Sequence, residues 1–255
     1  MDAVAAAGFA AAADAYQEAR PSWPEAAVDA AIDHWRLDPA RDLVVDLAAG
    51  TGRLTSILSR RCHRLVAVEP VPEMRAYIDG VEAVAGTAED LPLADDEVAG
   101  VFVAEAFHWF DYPAALAELA RVLREGGGLG IMWHTPLPDD RQSELRAAIA
   151  ALIAPYAYHP KGLNFLERDA RDDLAWQREP AWAAFEPLVH HEFEHEQDTT
   201  RAGLVRLVAS WAFIARLDED TRADILRRAD QLARDHGVER YRQGWRTDLY
   251  LTRRR

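Results

Sequence analysis

Cysteine and lysine are almost missing from this sequence. Cys62 is the only cysteine and Lys161 the only lysine among 255 residues. One cysteine excludes an internal disulfide. One lysine leaves a single side chain that could form a Schiff base with a substrate.

Positive charge and long apolar runs are scarce as well. Acidic residues outnumber basic ones by 43 to 29, and the net charge of −14 argues against a nucleic-acid or anionic-membrane binder. No stretch approaches the roughly 20 apolar residues of a membrane span. The opening Met1-Asp2-Ala3-Val4 lacks the basic segment of a secretory signal. We expect a cytoplasmic protein with no nucleic-acid or membrane partner.

Five short apolar runs occur in the first half of the chain, separated by stretches of helical length. Each run is too short for a buried helix and is typical of a strand covered on both faces. The runs are Leu43 to Ala48, Leu65 to Glu69, Val81 to Ala85, Gly100 to Ala104 and Leu129 to Trp133. Alternating strands and helices predict an α/β fold with a doubly wound, mostly parallel sheet, which binds ligands beyond the carboxyl ends of its strands.

The remaining segments predict helices around this sheet. Residues 25 to 36 show helical spacing, and the helix around Leu116 is predicted to end at Gly126-Gly127-Gly128 as a C-cap. Two further helices are expected between about Thr200 and His236. We therefore expect one domain: a cap at 1–38, a core at 40–139, helical lid and pocket insertions at 140–184 and 198–240, and closing strands at 185–197 and 241–253.

A glycine turn follows the first predicted strand. Gly50 and Gly52 allow a ligand to approach the backbone closely, because neither carries a Cβ. Glu69 ends the next strand, where an acidic side chain can accept hydrogen bonds from both hydroxyls of an adenosine ribose. The bland alternative is a tight strand-to-helix connection with no ligand.

Two classes of cofactor fit an acid that holds a ribose. A nicotinamide dinucleotide site requires a third glycine three residues after Gly52, and Thr55 occupies that position. Asp46, at the end of the first strand, would repel a pyrophosphate but suits the cationic amino group of a methionine. The residues therefore favour S-adenosylmethionine. An NAD(P)-dependent oxidoreductase and a non-catalytic S-adenosylmethionine-binding protein are the alternatives.

The sequence resembles the class I S-adenosylmethionine-dependent methyltransferases, in particular the methyltransferase type 11 family. The matching segments are Asp46 to Gly52, Val66 to Pro70 with Met74, Gly86 to Leu93, Ala104 to Asp111 and Ala120 to Gly127. Many relatives have Asp at the position of Thr87, where it accepts a hydrogen bond from the adenine amino group. A hydroxyl at this position implies that adenine depends more on the Ala88 amide and on Glu89.

The resemblance also implies a fold, a reaction and a set of site residues. The fold is a Rossmann-like seven-stranded sheet with a C-terminal helical lid, and the reaction is in-line methyl transfer that leaves S-adenosylhomocysteine. Tyr16 and Arg20 resemble a cap over the methionine carboxylate. The implied cofactor-binding residues are Tyr16, Arg20, Asp46, Ala48, Ala49, Gly50, Thr51, Gly52, Glu69, Pro70, Met74, Thr87, Ala88, Glu89, Ala104 and Glu105.

A small molecule is the expected methyl acceptor. The turn Glu105-Ala106-Phe107-His108 lacks the Pro-Pro-aromatic tetrapeptide of nucleobase amino-methyltransferases, and Cys62 lies far from it. His108 is the candidate catalytic base, since its ordinary pKa suits proton abstraction at neutral pH. Alternatively, Phe107 to Phe110 only form the wall of the pocket. Trp176, Trp182, Trp211 and Trp245 could line an aromatic pocket or pack in the core.

One segment resembles a zinc motif. His191 to His195 matches His-Glu-x-x-His, which binds zinc when it lies on a helix. Apolar and charged residues alternate here, which favours a strand. On a strand the two histidines would lie about 13 Å apart, too far to share a metal ion. We therefore predict no metal site.

Overall fold

The computed structural model describes residues 8, 10, 13, 19–137, 143–157 and 174–255. Its centre is a seven-stranded sheet in the order β3-β2-β1-β4-β5-β7-β6. The strands are β1 (Leu43–Leu47), β2 (Arg64–Val68), β3 (Glu82–Val84), β4 (Val98–Ala104), β5 (Leu123–Pro136), β6 (Val189–Thr200) and β7 (Arg240–Arg253). Strands β1 to β5 are parallel, while β7 pairs antiparallel with both β5 and β6. The predicted α/β fold is confirmed.

Helices cover both faces of the sheet. They are α1 (Glu25–Trp35), α2 (Thr55–Leu58), α3 (Pro72–Arg75), α4 (Tyr112–Val122), α5 (Ser143–Ile153), α6 (Arg201–Ala209), α7 (Ala212–Ala215) and α8 (Glu219–Asp235). Every residue of β1 is buried. Val45 and Leu47 pack with α4 on one face, and Val44 packs with α1 on the other. None of the helices in the described part of the chain is both long and apolar enough to cross a membrane.

The C-terminal helices build a third hydrophobic cluster beside the sheet. Leu145 and Ile149 of α5 pack with Val208 of α6, Ile214 of α7 and Ile225 of α8. The segment after residue 200 contains three helices rather than the two expected. Strand β6 continues to Thr200, past the predicted boundary at residue 197.

The predicted glycine C-cap of α4 is wrong. The helix ends at Val122, and Leu123 already pairs with Val98 in the sheet. Leu123 is fully buried, so the sheet holds this residue in extended backbone and the helix stops before the glycines. Gly126, with a φ of 71°, lies in the irregular stretch where the β4–β5 register shifts.

Gly128 instead makes room for an aromatic ring. The indole of Trp35 lies on the sheet over Gly100, Gly128 and Gly130, and its Nε1 donates to the carbonyl of Thr252 at 3.1 Å. A Cβ on Gly128 would overlap this ring, whereas one on Gly100 would approach it to 3.1 Å. The glycines therefore fix how closely α1 packs on the sheet.

Gly128→Ala should lower the free energy of unfolding by about 1–3 kcal/mol, because a Cβ there forces the Trp35 ring to move. Gly100→Ala, where the approach is looser, should cost less. Urea unfolding of both variants measures the difference. Equal costs for the two substitutions would contradict this account of the packing.

Candidate functional site

Two adjoining cavities open at the carboxyl ends of the parallel strands. The smaller, of about 620 Å³ including its opening to solvent, is lined by Leu47, Ala48, Gly50, Glu69, Pro70, Met74, Gly86, Thr87, Ala88, Glu89, Ala104, Glu105, Ala106, Trp109 and Phe110. The larger, of about 1440 Å³ including its opening to solvent, is lined by Arg20, Pro21, Trp23, Asp46, Ala48, Ala49, Gly50, Arg53, Leu54, Ala104, Glu105, His108, Trp109, His134, Pro136, Leu207, Trp211, Ala212, Phe213 and Trp245. Residues after β1 and at the end of β4 line both cavities, so the two adjoin and one elongated ligand can occupy both.

The turn after β1 has an unusual backbone. Ala48, Gly50 and Gly52 have φ values of 55°, 59° and 80°, in the left-handed region. A Cβ on Gly52 would lie 3.0 Å from the Ile78 side chain, so this position needs glycine for both reasons. A left-handed alanine is uncommon and costs conformational energy, which is typical of functional loops. The turn places Ala48 and Gly50 against both cavities.

Glu69 connects the ends of β1 and β2. Its Oε2 accepts a hydrogen bond from the Gly50 amide and its Oε1 accepts one from the Val71 amide, both at 2.8 Å. The side chain is only 4% exposed, and burial raises its pKa. The two backbone hydrogen bonds stabilise the ionised form and oppose this shift. Each carboxylate oxygen keeps a lone pair for a further donor. The carboxylate also lines the smaller cavity, where two adjacent hydroxyls could each donate to one oxygen.

Asp46 is the second buried carboxylate at this edge of the sheet. It is 1% exposed, and the Thr55 hydroxyl donates to its Oδ2 at 2.5 Å. Burial raises its pKa to about 7, the Glu69 charge adds to the shift, and the Thr55 hydrogen bond opposes it. Asp46 lines the larger cavity, where a nearby cation would stabilise its ionised form.

The turn after β4 adds a second non-glycine residue with left-handed backbone to the site. Glu105 has a φ of 53°, and its Oε1 accepts from the His134 amide at 2.6 Å. This bond ties the ends of β4 and β5 together. His108 lines the larger cavity and is 4% exposed; the Trp133 indole donates towards its Nδ1 at 3.4 Å. Phe107, which the alternative interpretation placed in the pocket wall, is fully buried in the core against Tyr112 and Trp176.

The segment after β3 closes the far end of the smaller cavity. Thr87 and Asp90 form an isolated β-bridge with N···O distances of 3.2 and 3.3 Å. The Glu89 Oε1 accepts from the amide of Asp111, the N-cap of α4, at 3.0 Å. Ala88 is 3% exposed and lines the cavity between Thr87 and Glu89. These contacts fix the segment without a ligand.

Most of the residues predicted from the sequence to bind the cofactor line one of the two cavities. Thr51 and Gly52 line neither, and the buried Thr51 hydroxyl has no hydrogen-bond partner among the described residues. Tyr16 lies outside the described residues. Of the four tryptophans considered for a pocket, Trp211 and Trp245 line the larger cavity, whereas Trp176 and Trp182 pack in the core.

Sequence reasoning missed several residues of the larger cavity. His134, after the buried part of β5, stacks on Trp23 with ring centroids 3.8 Å apart, and Arg53 follows the glycine turn. Burial lowers the pKa of His134 well below its ordinary value, and the charges of His195, Arg20 and Arg53 lower it further. His134 could have been found because it follows a predicted strand. Trp23 carries no such signal.

The His-Glu-x-x-His segment lies on β6, so its two histidines belong to a strand, as the alternation predicts. A different group comes together nearby: His190, Glu192 and Asp248 place potential ligand atoms within 4.8 Å of one another. The Asp248 Oδ1 lies 2.9 Å from His190 Nε2, and its Oδ2 accepts two hydrogen bonds from Arg246. The Arg246 guanidinium neutralises the Asp248 carboxylate. An ion-pair network therefore accounts for the cluster.

Comparison with known proteins identifies the class. Residues 45–131 match the family model of a methyltransferase domain, of type 11. The chain is 37% identical over 232 residues to an uncharacterised methyltransferase of Mycobacterium tuberculosis, covering 89% of this chain and 86% of the relative. It is 29% identical to a methyltransferase-like protein of Schizosaccharomyces pombe, over 86% of this chain and 83% of that protein.

Solved structures show the same fold. A candidate type II methyltransferase from Anaeromyxobacter dehalogenans superposes with a TM-score of 0.68 at 20% identity, over 92% of this chain and 97% of that one. Sheet order, glycine turn and sequence relatives together define a class I S-adenosylmethionine-dependent methyltransferase. The chain belongs to the methyltransferase type 11 family, which selects the methyltransferase interpretation over the oxidoreductase alternative.

Asp46→Asn should stabilise the ligand-free protein most at high pH. The carboxyl has an ordinary pKa of 3.8 and a folded-state pKa of about 7, so the native state loses stability as the pH rises through this interval. Asparagine removes this loss and keeps an oxygen that can accept from Thr55. Urea unfolding at pH 5 and pH 8 should show a larger gain at pH 8. An equal gain at both pH values would contradict the buried ionisation.

Proposed function

We propose that this methyltransferase binds S-adenosylmethionine across the two cavities and transfers its methyl group to a small-molecule acceptor in the larger one. Glu69 carries the proposal, since it is a buried acid already oriented by two backbone amides and it lines the smaller cavity. The cofactor, when bound, supplies a methyl group on a positively charged sulfur.

The smaller cavity fits an adenosine. Glu69 would accept from both ribose hydroxyls without losing its bonds to Gly50 and Val71. Pro70 and Met74 offer apolar surface for a flat ring, and Thr87, Ala88 and Glu89 supply polar groups at the far end. Gly50 has left-handed backbone and no side chain, so its backbone faces the cavity directly. A Cβ added there would have only the Met74 methyl within 4 Å, at 3.7 Å.

The amino-acid part of the cofactor fits the adjoining side of the larger cavity. Asp46 would pair with the ammonium group, which would lower the pKa of this carboxyl below its value of about 7 in the free protein. Arg20 and Arg53 line the same cavity and carry the positive charge that a methionine carboxylate requires. Ala49, Ala104 and Glu105 form the wall between these charges.

His108 would hydrogen-bond the acceptor rather than remove a proton from it. An indole N–H only donates, so the Trp133 contact makes Nδ1 the accepting nitrogen and leaves the proton on Nε2 in the neutral ring. In this tautomer the ring N–H lies on Nε2, and the side chain lines the larger cavity. The main contribution of the protein is then orientation of the acceptor in a pocket that α6 and α7 cover.

Glu69→Gln should weaken binding of S-adenosylhomocysteine at least about fivefold. An amide nitrogen would face a backbone N–H of Gly50 or Val71, and the ribose would lose a charged acceptor, a loss of about 1–3 kcal/mol. Glu73→Gln is the matched control, because Glu73 is exposed on α3 and lines neither cavity. Isothermal titration calorimetry provides both affinities. Unchanged affinity in Glu69→Gln would remove the ribose assignment.

Affinity for S-adenosylhomocysteine should rise between pH 6 and pH 7.5, because the ammonium group pairs with ionised Asp46, whose pKa in the free protein is about 7. Complex formation should therefore release protons, which calorimetry in two buffers of different ionisation enthalpy detects. Asp46→Asn should flatten this pH dependence. A wild-type affinity that is constant over this range would contradict the pairing.

Once an acceptor is found with labelled methyl donor, two variants test His108. His108→Ala should lower turnover at least tenfold with the affinity for S-adenosylhomocysteine little changed, while His108→Gln, which can donate but not take up a proton, should keep much of the activity. If glutamine is as inactive as alanine, His108 acts as a base. If alanine is fully active, His108 is only part of the wall.

A further inference from the structure

Tryptophan is concentrated in the wall of the larger cavity. Half of the eight tryptophans of the chain line it: Trp23, Trp109, Trp211 and Trp245. They come from four separate segments, which are the residues before α1, the turn after β4, the start of α7 and strand β7. The fold therefore gathers these rings from distant parts of the chain. Aromatic side chains offer large, flat apolar faces, which suits the binding of a flat apolar ligand.

Two aromatic rings of the lid have nearly parallel planes. Trp211, the N-cap of α7, and Phe213 have ring planes 12° apart and centroids separated by 5.9 Å. Both rings line the cavity, and both also pack on the hydrophobic cluster of the C-terminal helices. This cluster holds the rings in place before a ligand binds. A flat unsaturated ring can lie parallel to both planes, and stacking then adds to the effect of the buried apolar area.

A hydrogen-bonded serine fixes the lid over the cavity. The Ser210 hydroxyl is fully buried; it accepts from the Arg20 Nε at 3.1 Å and donates to the Leu207 carbonyl at 2.7 Å. Leu207 lines the cavity from α6, whereas Arg20 lies before α1. The aromatic wall of the lid is therefore tied to the opposite side of the cavity.

The charged residues of the cavity have partners within the protein. Asp46 accepts from the Thr55 hydroxyl, and Glu105 accepts from a backbone amide. The Arg53 Nε donates to a backbone carbonyl at 3.2 Å, and Arg20 binds the lid. The proposed function assigns the charged groups of the cofactor to this same side. A charged acceptor would lose its hydration against the aromatic wall that remains, which is costly, so an uncharged acceptor fits this wall better.

Trp109 extends the aromatic wall to the boundary between the two cavities. It lines both of them, so it lies where they adjoin. In S-adenosylmethionine the sulfur joins the adenosyl and amino-acid parts, which the proposed function assigns to different cavities. The ring of His108, the proposed hydrogen-bond donor to the acceptor, lies beside Trp109 with centroids 5.2 Å apart. One flat molecule can therefore contact the lid rings and Trp109 together.

We propose that the methyl acceptor is an uncharged molecule with a flat, unsaturated ring system, which packs against Trp211 and Phe213 of the lid and reaches Trp109. This inference rests on the proposed function, because the cofactor occupies the polar side of the cavity. It names a chemical class of acceptor and does not depend on which atom of the molecule receives the methyl group.

Three ligands that share a fused two-ring skeleton test the proposal by binding alone. 2-Naphthol is flat and uncharged at neutral pH, decahydro-2-naphthol is its saturated counterpart, and 2-naphthoate is flat and anionic. Each is titrated against the protein saturated with S-adenosylhomocysteine, by calorimetry and ligand-observed NMR. The saturated alcohol is at least as apolar as 2-naphthol, so a preference for 2-naphthol reports contact with flat rings. 2-Naphthol should bind about threefold to tenfold more tightly than either of the others.

Leucine substitutions in the lid locate the contact. Trp211→Leu and Phe213→Leu keep apolar surface and remove a flat face, so each should reduce the preference for 2-naphthol over decahydro-2-naphthol at least about twofold. Tyr77→Leu is the matched control and should retain the preference, because Tyr77 is an exposed aromatic residue that lines neither cavity. The affinity of each variant for S-adenosylhomocysteine shows whether its fold is intact.

The outcomes separate this inference from the proposed function. Equal or tighter binding of decahydro-2-naphthol or of 2-naphthoate to the wild-type protein would overturn the acceptor class, as would failure of all three ligands to bind. This comparison requires no variant. A preference that both leucine variants retain in full would overturn the placement against the lid. Failure of S-adenosylhomocysteine itself to bind would overturn the proposed function, and the same ligands titrated against the free protein would then decide what the cavity recognises.

Discussion

Two carboxylates buried at the ends of adjacent strands impose the constraint on which the site depends. Asp46 on β1 and Glu69 after β2 are at most 4% exposed. Burial raises the pKa of both carboxyl groups, and the charge of Glu69 raises that of Asp46 further. Backbone amides and the Thr55 hydroxyl stabilise them only in part. A ligand with hydroxyl donors at one carboxylate and a cation at the other relieves both. The left-handed turn at Ala48, Gly50 and Gly52 leaves the space in which such a ligand can lie.

The sheet and the C-terminal helices contribute different parts of the site. The carboxyl ends of β1 and β2 hold polar contacts for a cofactor, whereas β5, β7 and the helices α6 and α7 contribute the walls of the larger cavity. Glu105 links the two parts, because its carboxylate binds the His134 amide while its backbone follows β4. The charge of the larger cavity is therefore set by residues that the sheet brings together from distant parts of the chain.

Local signals in the sequence were sufficient to predict the core sheet and insufficient to predict the larger cavity. Glycine spacing and strand length predict the turn after β1 and the position of Glu69, because both depend on neighbouring residues. The end of α4 was mispredicted, because burial of Leu123 against β4 decides where the helix ends, and Gly128 makes room for the Trp35 ring. Trp23, Arg53 and His134 meet only in three dimensions, and no spacing in the chain indicates their contact.

Cofactor selectivity is the property that most directly tests this account. Calorimetric titration of the purified protein with S-adenosylhomocysteine, and separately with NADH and NADPH, compares ligands that share an adenosine and differ beyond it. The account predicts stoichiometric binding of S-adenosylhomocysteine alone, because Asp46 suits an ammonium group and repels a pyrophosphate. Binding of either nicotinamide cofactor with comparable affinity, or no binding of S-adenosylhomocysteine, would contradict it.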